Sequence, residues 1–273
     1  GDKMSSVLDI TYRKPTKFGL TAEASFLGGS LTGEGISKNK KWSAITGIRY
    51  RDNSLLVNSQ ETQTNFRPTF VDVQTNVNFS PNDKWHFSFL GNASQNKYNY
   101  QPLTRQTNFG TIDEPIALQI FYEGQEKDQY DTYFGALKTT YKVSPSLTLK
   151  FIGSLFHTTE KEHFDILAQY RLGNVDPENP NDASSIDFTR GIGSQLNHAR
   201  NDLDALIANV EIKGAKEWQE SQLEFGLKYT RESIRDRIVE WEMIDSAGFS
   251  LNPPILNLPK NNQPYEPYTG PLL

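Results

Sequence analysis

Hydrophobic and polar residues alternate along much of this chain. From 69 to 80, Val71, Val73, Thr75, Val77 and Phe79 fall on one side, and Asp72, Gln74, Asn76 and Asn78 on the other. A period of two belongs to a β-strand with one apolar face and one wet face. The pattern returns at 85–94, where Trp85, Phe87, Phe89, Gly91 and Ala93 oppose His86, Ser88, Leu90, Asn92 and Ser94. It returns again at 133–143, 147–157, 206–213 and 223–230, and in weaker form at 17–26, 30–37 and 42–51. The reading is about nine strands after Pro15. Each is about 8–14 residues long, enough to cross a bilayer at a tilt of about 45°.

The connections alternate as well. Short polar turns are expected at Lys38–Lys41, Pro81–Lys84, Ser144–Ser146 and Lys216–Ser221, and long polar loops at 52–68, 101–130, 160–199 and 246–273. Tight turns at one end and extended loops at the other are the order of an outer-membrane barrel. Trp42, Phe79, Trp85, Tyr141 and Trp218 sit beside the short turns, and Tyr50, Tyr98, Tyr100 and Tyr133 near the long loops. Amphipathic rings at both ends of the strands predict two interfacial girdles. Two loop segments, 115–123 and 164–170, are too apolar for free loops. The first is expected to fold inward or pair as a hairpin, and the second to do the same or form a short helix.

Composition narrows the function classes. The chain has 273 residues, 36% of them hydrophobic and 12% aromatic, with a net charge of −5. That balance does not suit a nucleic-acid scaffold. No run of about 18 apolar residues offers a transmembrane helix. Cysteine is absent, which rules out disulfides and thiolate metal sites. No nucleophile-elbow, P-loop or dinucleotide fingerprint occurs, so no catalytic residue and no cofactor is assigned. His157, Glu160, Glu162 and His163 lie close in sequence but match no metal-ligand spacing. The oxygen-rich run Asp176–Asp182 lacks the central glycine of a calcium loop.

These observations predict an all-β fold, an antiparallel transmembrane β-barrel. In hydrocarbon every backbone polar group must be paired within the protein, and a closed barrel achieves this without an edge. Nine strands are too few to close a barrel wide enough for so polar an interior. The chain is therefore expected to be one part of a larger protein.

The first residues carry a family resemblance. The segment Gly1-Asp2-Lys3-Met4-Ser5-Ser6-Val7-Leu8-Asp9-Ile10-Thr11-Tyr12-Arg13-Lys14-Pro15 resembles the end of the plug domain in TonB-dependent outer-membrane receptors. In that family a Gly/Ser stretch precedes a short strand, a basic pair and proline. Phe18–Ala24 is then similar to the first barrel strand. Ser88–Asn92, Gly191–Gly193, Leu196–Arg200 and Trp241–Met243 look like receptors of the Bacteroidetes type. The resemblance implies that 1–14 end a plug and that 15–273 form the N-terminal part of a barrel of about 22 strands, with extracellular loops. It implies import of a scarce nutrient across the cell outer membrane, driven by TonB, ExbB and ExbD through a region not contained here. Outer-membrane lipid surrounds such a barrel, and a surface lipoprotein is a further candidate partner.

Candidate substrate contacts are the loop aromatics Tyr98, Tyr100, Phe109, Tyr122 and Tyr170, which suit sugars or peptides. Arg49 and Asn96 join them on the lumen side, beside Arg51, Asn92, Lys97 and Lys138. The competing functions are a passive porin or structural barrel and a soluble all-β binding module.

Overall fold

The computed structural model describes residues 12–58, 64–111, 115–175 and 186–245. Eleven strands form one antiparallel sheet: β1 (Gly19–Ser25), β2 (Gly28–Ile36), β3 (Trp42–Asp52), β4 (Thr64–Phe79), β5 (Trp85–Pro102), β6 (Arg105–Gly110), β7 (Pro115–Ser144), β8 (Leu147–Val175), β9 (Ile186–Glu217), β10 (Gln222–Arg237) and β11 (Glu240–Asp245). A single turn of helix, α1 (Ser54–Asn58), lies between β3 and β4. The order is an up-and-down meander, β1-β2-β3-β4-β5-β7-β8-β9-β10. The sheet is open, with β1 and β10 at its edges. β6 extends the line of β5 along β7, and β11 extends the line of β10 along β9.

All nine predicted strands are present. The predicted long loops are corrected. Residues 101–130 and 160–199 are mostly strand, because β7, β8 and β9 run on far past the segments whose alternation marks them. The apolar segment 115–123 pairs as a hairpin with β6, and 164–170 is β-strand within β8. Residues 1–11, 176–185 and 246–273 lie outside the described residues, and with them most of the plug-like segment and the Asp176–Asp182 run.

Register fixes the two faces. Ala44, Val77, Phe89, Leu137, Gly153, Val210 and Tyr229 are consecutive cross-strand partners and share one face. Gln74, Asn92, Phe134, Phe156, Ile207 and Glu232 form a row on the other. The second face is polar on β3–β5 and mixed on β7–β9.

Nothing in the described residues covers the first face. Leu137 is 51% exposed, Leu155 57%, Val210 59% and Leu227 75%. The buried apolar side chains are Ala117, Ala168, Val175, Ala199 and Ala205. These are small residues pressed between neighbours in the ladder, and they make no apolar interior. Burial of apolar surface is the main favourable term in soluble folding, and among the described residues it is confined to these few side chains.

The uncovered apolar face is a belt with two borders. At the short-turn end Trp42 stacks on Phe79 with centroids 4.1 Å apart, Phe79 meets Phe87 at 6.1 Å, and Trp85 meets Phe87 at 5.8 Å and Tyr141 at 4.3 Å. This is an aromatic row along one edge. At the other end Tyr50 and Tyr133 stand on the same face, 49% and 55% exposed, and Tyr229 is on that face level with Leu137 in the ladder. From Tyr141 to Tyr133 the strand runs roughly 26 Å at about 3.3 Å per residue. Tyr98 and Tyr100, expected in the second girdle, are on the opposite face, because they pair in register with Asp128 and Glu126.

Beyond Tyr133 the apolar face turns charged. Gln95 donates to Asp131 at 2.7 Å, His163 Nε2 lies 3.0 Å from Asp202, and His157 Nε2 lies 3.0 Å from Asp204. Arg200 and His198 both engage Asp165, and Arg237 engages Asp202. The guanidiniums of Arg200 and Arg237 hold Asp165 and Asp202 below the usual carboxylate range.

Candidate functional site

The polar face holds the candidate site. One part of it is built by β1–β5. Arg49 Nε donates to Asp72 Oδ1 at 2.8 Å, and the guanidinium lies over Phe70 at 4.9 Å. Gly28 adopts φ +135° at the tight β1–β2 turn, where a Cβ would meet Tyr50 O at 2.1 Å. That turn brings Glu23, Ser30 and Thr32 beside Arg49 and Arg51 around an open hollow of about 630 Å³.

The chain segment before β1 lies against this same face. Tyr12 donates from its hydroxyl to Gln74 Oε1 at 3.2 Å, and Arg13 pairs with Glu34 at 2.9 Å. Tyr12 and Lys14 help line a hollow of about 490 Å³ with Asn76, Asn78, Ser88 and Lys138.

The upper part rises from the belt along β5, β7 and β8. Tyr98 stacks on Phe66 at 6.0 Å and meets Tyr130 edge-on at 5.7 Å. Tyr130 donates to Glu162 at 2.8 Å. Around it the ladder lines up Glu126, Asp128, Glu160 and Glu162 on one face. Burial, then the Glu126 and Glu162 charges, push Asp128 up to about 6. Burial and Glu162 also raise Glu126. Burial and the bond to Glu162 raise the Tyr130 phenol. Crowded carboxylates in a partly dry setting favour the neutral form, and this is the physical cause of all three shifts.

Higher still, Arg105 donates to the Tyr122 hydroxyl at 3.3 Å and covers its ring at 5.8 Å. Tyr170 donates to Gln195 Oε1 at 2.6 Å.

All seven sequence-selected residues, Arg49, Asn96, Tyr98, Tyr100, Tyr122, Tyr170 and Phe109, fall on this face by register. They do not converge on one spot. Asn96 and Tyr98 stand near the top of the belt, and Tyr122 is roughly 20 Å farther along the ladder at about 3.3 Å per residue. Phe109 is near the far end of β6, 49% exposed.

A further side assignment changes. Lys97, grouped with the lumen residues, is on the apolar side, because it pairs with Thr69 and Gln129 between two polar-face positions. His157 and His163 likewise face away from Glu160 and Glu162, so those four side chains cannot meet. Sequence reading missed the acidic group on β7 and β8. Its signal was there: Glu126 and Asp128, and Glu160 and Glu162, share one parity.

The sheet, the belt and the polar wall rest on the chain itself: no protein-family model matches it, and neither a curated protein nor a solved structure does.

Proposed function

We propose that this chain is part of the wall of an outer-membrane β-barrel, and that the whole protein is a TonB-dependent transporter. One observation carries the reading. The sheet leaves a bordered apolar belt uncovered on one face and a polar surface on the other. Water makes that arrangement costly, at roughly 25 cal/mol per Å² of exposed apolar surface. A hydrocarbon slab of about 30 Å removes the cost. A strand length of roughly 26 Å between aromatic borders suits the apolar band of about 25 Å in such barrels.

Hydrocarbon would leave the edges of β1 and β10 with unsatisfied backbone groups. Further strands pairing with both edges complete the wall in this reading. The polar face then lines the lumen. Tyr12 and Arg13, seated on that face, favour a plugged barrel over an open pore. The Phe134, Phe156 and Ile207 row offers an apolar seat for the plug. Nutrient contacts fall on the upper polar wall around Tyr98, Tyr130, Tyr122 and Tyr170. The energy comes from TonB, ExbB and ExbD.

The test uses the full-length protein. It should require detergent, migrate faster on gels before boiling than after, and support nutrient uptake that stops when TonB is deleted. Solubility in plain buffer rejects the barrel. A heat-modifiable barrel whose uptake ignores TonB points to a passive porin.

A further inference from the structure

On the polar face, the hollow of about 490 Å³ beside Tyr12 and Lys14 is walled by β4, β5, β7 and β8. No carboxylate is among its described lining residues. Lys14 and Lys138 both line it, and the charge of each reaches His86 in the same wall. Neither lysine forms an ion pair among the described residues. The flanking acids on this face have other partners: Glu34 pairs with Arg13, Asp72 with Arg49, and Glu211 with Lys213. Lys150, opposite Thr140 in the ladder, adds a third positive charge beside the pocket.

Hydrogen-bond donors are in excess there as well. Asn76 and Asn78 are each 7% exposed, and Asn78 Nδ2 donates to Asn76 Oδ1 at 2.6 Å. Asn76 Nδ2 is left with no acceptor among the described residues, and so are the hydroxyls of Ser88 and Thr140. Asn78 Oδ1 remains as an acceptor.

We infer that this pocket binds a phosphate group, its charged oxygens on Lys14 and Lys138, with Asn76 Nδ2 as the buried donor and Asn78 Oδ1 receiving the phosphate's own hydroxyl. Two ammonium groups facing one cavity repel each other, and a dianion between them turns that repulsion into attraction. Hydrogen bonds from a cation to phosphate oxygens are short and strong, and a buried amide donor gains by finding an acceptor. A monoanion would leave one ammonium unmatched. The volume is that of a small-ligand site, with room over Leu90, Ala136 and Ile152 for the body of a phosphate monoester. The inference goes beyond the transporter reading and stands on the polar face alone.

The full-length protein, folded in nonionic detergent and dialysed free of phosphate, is titrated calorimetrically with inorganic phosphate, glycerol phosphate and nitrate. Phosphate should bind saturably and about tenfold or more tighter than nitrate. Glycerol phosphate binding tighter than inorganic phosphate identifies a monoester as the ligand, and the reverse order identifies the free anion. The double variant K14Q/K138Q should weaken phosphate binding about tenfold or more. Asn76→Asp, which places a carboxylate inside the pocket, should weaken it as much. Lys228→Gln, on the same face of β10 but outside the pocket, should match wild type. Circular dichroism should show the same β-structure in every variant. A folded wild type without saturable phosphate binding overturns the inference. So does nitrate bound as tightly as phosphate, or unchanged binding in K14Q/K138Q. The barrel reading is judged apart from this, by the need for detergent and by heat-modifiable migration.

Discussion

Arg49 donates to Asp72 across the β3–β4 ladder at 2.8 Å, and Asp72 is only 6% exposed. The guanidinium is half exposed, so solvent screens much of the pair. Arg49→Met leaves a nearly buried carboxylate without its donor and removes the cover over Phe70. The expected loss is about 1–2 kcal/mol, read as a lower urea midpoint of the full-length protein in detergent. Arg49→Lys should recover only part, because an ammonium has no planar fork. An unchanged midpoint in Arg49→Met would show the pair to be ornamental.

Neighbouring residues on β8 separate a lipid-facing belt from a water-facing one. Leu155→Arg should cost about 2–4 kcal/mol in liposome folding if its surroundings are hydrocarbon. Ser154→Arg, one residue away on the polar face, should fold nearly as wild type. Equal folding of both variants would be fatal to the belt. On a sheet surrounded by water, the arginine at 155 would be harmless.

The acidic group on β7 and β8 gives the polar wall a pH dependence. Asp128 sits up at about 6, above its ordinary range. Between the unfolded and folded values the native state holds more protons, so stability falls as pH rises from about 4 to about 6 and is level above. Asp128→Asn should flatten that slope and stabilise the protein at neutral pH. Urea midpoints at half-unit pH steps for both proteins check this. Asp165 and Asp202, held low by Arg200 and Arg237, act with the opposite sign and only at lower pH. A wild-type midpoint that rises between pH 4 and 6 would contradict the assignment.

Gly124 interrupts β7 with φ +103°, and a Cβ there would meet Asp165 O at 1.9 Å. Gly124→Ala should strain the upper β7–β8 ladder by about 1–3 kcal/mol. Faster proteolysis and hydrogen exchange above residue 124, with unchanged exchange at Leu137 and Leu155, is the expected result. Uniform protection in the variant would show that the backbone accommodates the side chain.

The belt was legible because its two faces differ. Val71 to Phe79 against Asp72 to Asn78 writes the pleat directly into the residue types, and register confirms each side. Above the belt both faces are wet, and the contrast fades. Lys127-Asp128-Gln129-Tyr130 is polar on every side chain, so it reads as loop although it is strand. Lys97 was misplaced for the same reason: Asn96 and Lys97 are both polar where the strand leaves the belt. Counting strictly from Phe89 gives the correct side. The pairing of Tyr98 with Phe66 and Tyr130 needed register between strands, which no single segment contains.

β8 runs without a break from Leu147 to Val175, roughly 95 Å of strand at about 3.3 Å per residue. It is laddered along most of that length to β7 on one side and β9 on the other. Such a plank does not bend at its middle. A push at its tip arrives at its foot as a tilt of the whole ribbon. The weak creases lie beside it, at Leu103–Thr104 between β5 and β6, at Ile238–Val239 between β10 and β11, and at Gly124.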